Sequence, residues 1–355
     1  MLSDGCLVII SLFRYYTPQN EWSSLSTMLA CVLLLASLIA STTVPSPGCS
    51  TDPAPPLPPG SPAALFNFRS PAGGGARSYL LRVPPQYDRT RPSSLILNFH
   101  GKQQAASTFA SEIDYPYFNA QSVTVFPQGL QEQWTGDPEA PLTSVINDIA
   151  MVSDLLDHLS RTLCLDLTRI YAFGFSNGGG LVDLLACSPA ISRRIAAFAS
   201  TSAAVYRDEA LKEPLWRDCA SRAAPVPFLE FHGTEDPVID YDGDGTPDGP
   251  SWPVAERMQH WARVNGCPEH AGNETTRLYG GHVQRYAFTC GNYGDVVQQY
   301  RIEGFGHGVP TTTPLDNDEQ RHGPTYFNAT PVILEFFKKW TLPEGLLRED
   351  YKDEL

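Results

Sequence analysis

A serine framed by glycines, Gly174-Phe175-Ser176-Asn177-Gly178, is the strongest chemical signal in the chain. The pattern G-x-S-x-G presents a nucleophilic serine when it joins a strand to a helix. Ile170-Tyr171-Ala172-Phe173 before it reads as a strand, and Gly178 to Cys187 after it reads as a helix. The serine of such a turn has a strained backbone and a hydroxyl pushed outward. Side chains two residues away would collide, and Gly174 and Gly178 leave the room. The helix that follows aims free N–H groups at the serine, which favours negative charge there. Outside this context the same residues would form a glycine-rich turn with a helix-capping serine.

A serine nucleophile needs a base and an acid that orients it, and in a strand–helix scaffold they follow it in the order acid, then histidine. Phe231-His232-Gly233-Thr234-Glu235-Asp236-Pro237 comes after an apolar strand, Phe228–Phe231. Asp236 is the candidate acid, with Glu235 and Asp240 as rivals; the plain alternative is a turn residue before Pro237. Gly304-Phe305-Gly306-His307-Gly308 comes after another strand, Val297–Ile302. His307 is the candidate base, because its glycines let the loop turn back. His322 is its rival and lies farther along in a Gly-Pro loop, where a surface position is expected. His260, His270 and His282 lack the strand-end setting. The oxyanion formed by attack on a carbonyl needs two N–H donors. The backbone of Asn177 supplies one. The backbone of Lys102, in Asn98-Phe99-His100-Gly101-Lys102, supplies the other, with Gly101 as the alternative.

These loops require a scaffold. Ser94–Phe99, Val123–Phe126, Ile170–Phe173, Ala196–Ala199, Phe228–Phe231 and Val297–Ile302 read as short buried strands. Asp148–Leu163, Gly178–Cys187, Val254–Val264 and Val332–Lys339 read as helices. Alternating strands and helices imply a mostly parallel sheet covered on both faces, with reactive groups at the carboxyl ends of the strands. With the serine motif, this predicts an α/β-hydrolase fold over residues 78–342. Residues 43–77 are rich in Pro, Gly and Ser and read as a loose arm. Residues 343–355 read as a tail.

Residues 1–42 read as a targeting segment. From Met28, the apolar run Leu29 to Ala40 would span about 20 Å as a helix, short of the roughly 30 Å of a bilayer core. Ser41-Thr42-Thr43 follows. This is the layout of a cleavable signal peptide, with Met28 as an alternative start, and not of a stable membrane anchor. Six cysteines lie beyond it: Cys49, Cys164, Cys187, Cys219, Cys267 and Cys290. An even number in an exported chain implies bridges. Cys267–Cys290 is the first expected pair, since a short stretch separates the two and a helix fixes one end. Cys187–Cys219 and Cys49–Cys164 complete the set, the last tethering the arm. Asn273 and Asn328 head sequons and are candidate glycosylation sites. Lys352-Asp353-Glu354-Leu355 is the signal that the KDEL receptor reads for return to the endoplasmic reticulum. Secretion and lumenal retention are both open. The balance of 25 Lys and Arg against 39 Asp and Glu, a net charge of −14, argues against nucleic acid or an anionic membrane as partner.

One further motif, Asp240-Tyr241-Asp242-Gly243-Asp244-Gly245-Thr246-Pro247-Asp248, matches the first part of a calcium loop. Asp240, Asp242, Asp244 and Asp248 are candidate ligands of a structural calcium ion. Ser251 stands where the terminal Glu belongs, Glu256 is a nearby substitute, and a polar turn insert is the alternative. The chemistry itself requires no cofactor.

From Ser78 to Lys339 the chain resembles secreted feruloyl esterases and the related polyhydroxybutyrate depolymerase-like hydrolases. The shared pieces are Phe99-His100-Gly101, Asn147-Asp148, Gly174 to Gly179, His232 to Asp236, Asn265-Gly266-Cys267 and Gly306-His307. The resemblance implies the triad Ser176, Asp236 and His307, and an extracellular role on hydroxycinnamoyl esters of plant cell-wall polysaccharide. Lys102-Gln103-Gln104 replaces the small-residue loop usual after His-Gly. Val309-Pro310 stands where that family often carries Trp. The expected function is therefore a serine carboxylester hydrolase. A polyester depolymerase or a peptidase is the alternative among enzymes, and a non-catalytic lumenal binding protein on the same scaffold is the alternative outside them.

Overall fold

The computed structural model describes residues 43–50, 55–113, 119, 121–215, 219, 224–268, 274–312 and 322–350. The targeting segment, Asn273 and Lys352 to Leu355 lie outside the described residues. The strands are β1 (Ala64–Ser70), β2 (Gly75–Arg82), β3 (Ser93–Phe99), β4 (Val123–Pro127), β5 (Leu165–Phe175), β6 (Ala197–Thr201), β7 (Phe228–Gly233), β8 (Glu274–Leu278), β9 (Val283–Cys290) and β10 (Tyr293–Ile302). The helices are α1 (Ala106–Glu112), α2 (Asp148–Thr162), α3 (Asn177–Cys187), α4 (Pro189–Ser192), α5 (Val254–Val264), α6 (Ala329–Lys338) and α7 (Glu344–Asp350).

The strands form one sheet in the order β1-β2-β4-β3-β5-β6-β7-β10-β9-β8. From β4 through β10 neighbouring strands are parallel. Both flanks are antiparallel. This is the α/β architecture the alternation implies. The central strand β5 shows why the layers close as they do. Its large residues face one way: Phe173 and Phe175 stack on Phe109 of α1, and Tyr171 stacks on Phe337 of α6. Burying each such ring contributes about 2–3 kcal/mol. Its small residue Gly174 lies against α3, where an added Cβ would come 2.2 Å from Gly178 O. Large residues on one face and a glycine on the other let α3 approach β5 closely. Helix α2 starts where the Asn147 side chain accepts from Ala150 N at 3.0 Å, a side-chain cap for an otherwise unpaired donor. It buries Met151, Val152, Leu155, Leu156 and Leu159, the stripe visible in the sequence.

Two boundaries differ from the sequence reading. Residues 64–77 are not part of a loose arm: they form β1 and the start of β2. Residues 344–350 are not tail: they form α7, with Leu346 and Leu347 buried in the core. Strands β1, β2, β8 and β9 are also additions. They lie on the antiparallel flanks, where many residues stay partly exposed and no continuous buried apolar run marks them. The three bridges Cys49–Cys164, Cys187–Cys219 and Cys267–Cys290 are all present. Among the described residues, no helix is long and apolar enough to cross a membrane.

Candidate active site

Ser176 sits between β5 and α3 with φ 54° and ψ −121°, a left-handed conformation that costs a non-glycine residue about 1–3 kcal/mol. Neighbouring loops hold it there. Its N–H donates to Thr201 O at 3.0 Å, and its carbonyl accepts from Gly180 N at 3.0 Å and Ala204 N at 2.9 Å. A Cβ at position 178 would lie 2.2 Å from Phe99 O, so that position requires glycine.

The Ser176 hydroxyl donates to His307 Nε2 at 2.9 Å. His307 Nδ1 donates to Asp236 Oδ2 at 2.9 Å and contacts Oδ1 at 3.1 Å. This arrangement keeps the ring proton on Nδ1 and turns the Nε2 lone pair toward the serine. Asp236 is fixed by its own turn, where Oδ1 accepts from Val238 N at 2.9 Å and Ile239 N at 2.8 Å. Burial works to raise its pKa, but the bond to His307, the charges of His307 and His232 and the Ile239 N–H outweigh burial and hold the carboxyl below its ordinary value. All three side chains are buried, with Ser176 7% and His307 6% exposed. The rivals do not reach this line. Glu235 is exposed, and Asp240 Oδ1 accepts from its neighbour Asp242 N. His322 is not the surface residue its Gly-Pro setting implies. It is half-buried, stacks on Phe305, and donates from Nδ1 to the His307 carbonyl at 2.6 Å. It braces the base from behind, and its own carbonyl accepts from Gly306 N at 2.8 Å.

The loop after β3 abuts the serine: a Cβ on Gly101 would lie 3.4 Å from Ser176 Cβ. Gly101 N donates to Gln104 Oε1 at 3.0 Å, so the alternative oxyanion donor is already engaged. Asn177 is the first residue of α3, and its N–H is one of the donors a helix start leaves unpaired. Two residues that the sequence left without a role hold this corner. Asn177 Oδ1 accepts from Trp134 N at 2.7 Å and Nδ2 donates to Trp134 O at 3.2 Å. Trp134 Nε1 donates to His100 O at 2.9 Å. His100 Nε2 accepts from Gly129 N at 2.9 Å and Nδ1 donates to Gly101 O at 2.7 Å. Burial pushes His100 down to about 4, so it stays neutral and keeps this tautomer. His100 was visible as part of a His-Gly motif at a strand end, whereas nothing local marks Trp134.

The Lys102 ammonium bonds Asp137 at 3.1 Å and Glu139 at 2.9 Å, and lies 3.6 Å from Asp248. Thr246 and Ser251 close that loop through their hydroxyls at 2.8 Å. Among the described residues, no group of three or more His, Cys, Asp or Glu is placed to hold a metal ion. Asp240, Asp242, Asp244 and Asp248 are not gathered into such a group here, and Asp248 instead lies near the Lys102 ammonium. In the Asn328 sequon, Asn328 Oδ1 accepts from Thr312 N at 2.6 Å, and the buried Thr330 hydroxyl donates to Ile113 O at 3.1 Å.

No protein-family model matches the chain. "Feruloyl esterase D" of Neurospora crassa is 27% identical over 317 residues, covering 83% of this chain and 93% of that one. "Probable feruloyl esterase C" of Aspergillus niger is 26% identical over 249 residues, covering 68% and 77%. Among solved structures, the acetyl xylan esterase of Aspergillus awamori superposes with a TM-score of 0.50 at 14% identity, covering 72% of this chain and 98% of that one. The chain thus has the α/β-hydrolase fold and is similar in sequence to the feruloyl esterases.

Proposed function

We propose that this protein is a serine carboxylester hydrolase that works through an acyl-enzyme. The observation that carries the reading is the unbroken line of hydrogen bonds Ser176–His307–Asp236. His307 Nε2 takes the serine proton as Oγ attacks the ester carbonyl, and Asp236 stabilises the imidazolium that forms. The Asn177 and Lys102 N–H groups receive the oxyanion. His307 then returns the proton to the leaving alcohol. Water repeats the attack from the same base, so acid and ester oxygen balance with no further reactant. For substrate, the names of the relatives favour feruloyl esters, and the resemblance in sequence extends this to hydroxycinnamoyl esters of plant cell-wall polysaccharide.

The test is turnover of methyl ferulate, nitrophenyl acetate and a polyhydroxybutyrate film by the purified protein. Preference for methyl ferulate supports the reading; hydrolysis of the film alone moves the activity to polyesters. Failure of a fluorophosphonate probe to label Ser176 would leave a binding protein. Three disulfides suit the secretory pathway. Secretion against lumenal retention is tested by locating the chain with and without residues 352–355.

A further inference from the structure

Behind the triad acid lies a second set of charged side chains, all of them buried. His232 is the penultimate residue of β7, and its Nε2 lies 3.4 Å from Asp236 Oδ2. The same nitrogen bonds Ile239 O at 2.9 Å, and Nδ1 faces Glu230 Oε1 at 3.1 Å. Glu230 also receives the Ser200 hydroxyl and stands 2.8 Å from Arg257 Nη2 as a charge contact. Arg257 Nη1 bonds Asp183 Oδ2 at 2.7 Å, and Trp261 Nε1 donates to Asp183 Oδ1 at 3.1 Å. Tyr241 lies edge-on to the His232 ring at 5.9 Å and carries Arg301 over its own ring at 5.5 Å. The mechanism above uses Asp236 alone from this set.

The partners decide the protonation state of His232. A carbonyl oxygen only accepts, so Nε2 carries a proton toward Ile239 O. Glu230 is ionised: burial works to raise its pKa, but the Arg257 charge and the bond and charge of His232 outweigh burial and hold it below its ordinary value. An ionised carboxylate also only accepts, so Nδ1 carries a proton as well. Charge balance agrees. Above about pH 6, the value to which burial pushes Asp183, the carboxyls of Asp183, Glu230 and Asp236 are three anions. Arg257 alone would leave two of them uncompensated, whereas a protonated His232 leaves one. Burial works against this charge, yet Glu230 and Asp236 outweigh it and raise His232 above its ordinary value.

We infer that His232 is a buried imidazolium that sets the effective charge of the triad acid, and so is a positioning residue for the Ser176–His307–Asp236 line. The inference rests on the esterase reading. A cation 3.4 Å from Asp236 offsets part of the field that the carboxylate exerts on His307. The carboxylate's pull on a proton arriving at His307 Nε2 is weakened to the same extent.

Two measurements test this. In His232→Gln the neighbour is a neutral donor, and Asp236 acts on His307 without compensation. The acid limb of the pH profile of kcat/KM should move up by about one pH unit, the size expected for one nearby charge. A residue that only packs would lower the plateau or the melting temperature and leave the limb in place, and an unmoved limb overturns the inference. The second measurement needs no variant and no turnover. Nitrogen NMR of the histidine-labelled wild-type protein should show His232 protonated on both ring nitrogens at pH 7. A bare nitrogen at pH 7 overturns the inference even if the variant fails to fold. Should Ser176→Ala keep turnover, the esterase reading and the positioning role fall together, and the spectrum still decides the charge.

Discussion

At the scale of single residues, the site depends on atoms held within hydrogen-bond reach by backbone turns. Ser176→Ala should reduce turnover by at least about a thousandfold, with circular dichroism and melting temperature unchanged. Turnover within tenfold of wild type would refute the nucleophile. His307→Ala should do the same. His322→Ala should cost less, about tenfold in kcat, because it removes the bond to the His307 carbonyl and the stack on Phe305 but no triad member; equal losses in the two variants would point to His322 as the base. Ser176, Asp236 and His307 were legible because each follows an apolar strand by a few residues, and strand ends are where this sheet exposes side chains. The bracing role of His322 and the pairing of His232 with Asp236 were not. Both depend on which loops meet in space, and neither histidine has a local pattern that says so.

At the scale of elements, the oxyanion corner is a latch between the start of α3, the Trp134 loop and the loop after β3. Its amide can be tested directly. Asn177→Ala removes both bonds to the Trp134 backbone and leaves a buried N–H and C=O unpaired, which costs about 1–3 kcal/mol for each group. The variant should melt several degrees lower and lose activity, while Asn177→Asp, which can accept from Trp134 N but cannot donate to its carbonyl, should fall between. An alanine variant with wild-type stability and rate would remove the latch from the account. The central strands and α2, α3 and α5 were legible because their apolar residues run continuously or repeat at helical spacing. The flanking strands were hidden by half-exposed patterns: β1 leaves Leu65 62% exposed and buries Phe68. Proline and glycine around it imitate a linker.

At the scale of the molecule, the buried charges make stability depend on pH. Glu230 and Asp236 are held below ordinary carboxylate values. Their contribution is complete above about pH 4.5 and is lost as pH falls through their folded values. His232 is raised, so its contribution is complete below about pH 6.5 and is lost as pH rises through its folded value. Burial, opposed by Arg257, pushes Asp183 up to about 6, and this too favours the acid side. Buried His100, held down to about 4, works the other way, its contribution complete above about pH 6.5 and lost as pH falls, so the melting temperature should peak near pH 6.5. A thermal-unfolding series from pH 3 to 9 checks this, and a melting temperature that climbs from pH 6.5 to 9 would contradict it. The Cys49–Cys164 bridge has a consequence of another kind. It closes a covalent ring over a sequence separation of 115, which contains β1 to β4, α1, α2, Lys102 and Trp134, while Ser176, Asp236 and His307 all lie outside it. The loop before α2 belongs to the ring and leaves Val145 66% exposed to any protease in the surroundings. A single cut there opens the ring without dividing the molecule. The nicked protein should run as one species on a non-reducing gel and as two once reduced, with the halves that carry the oxyanion loop and the triad still joined.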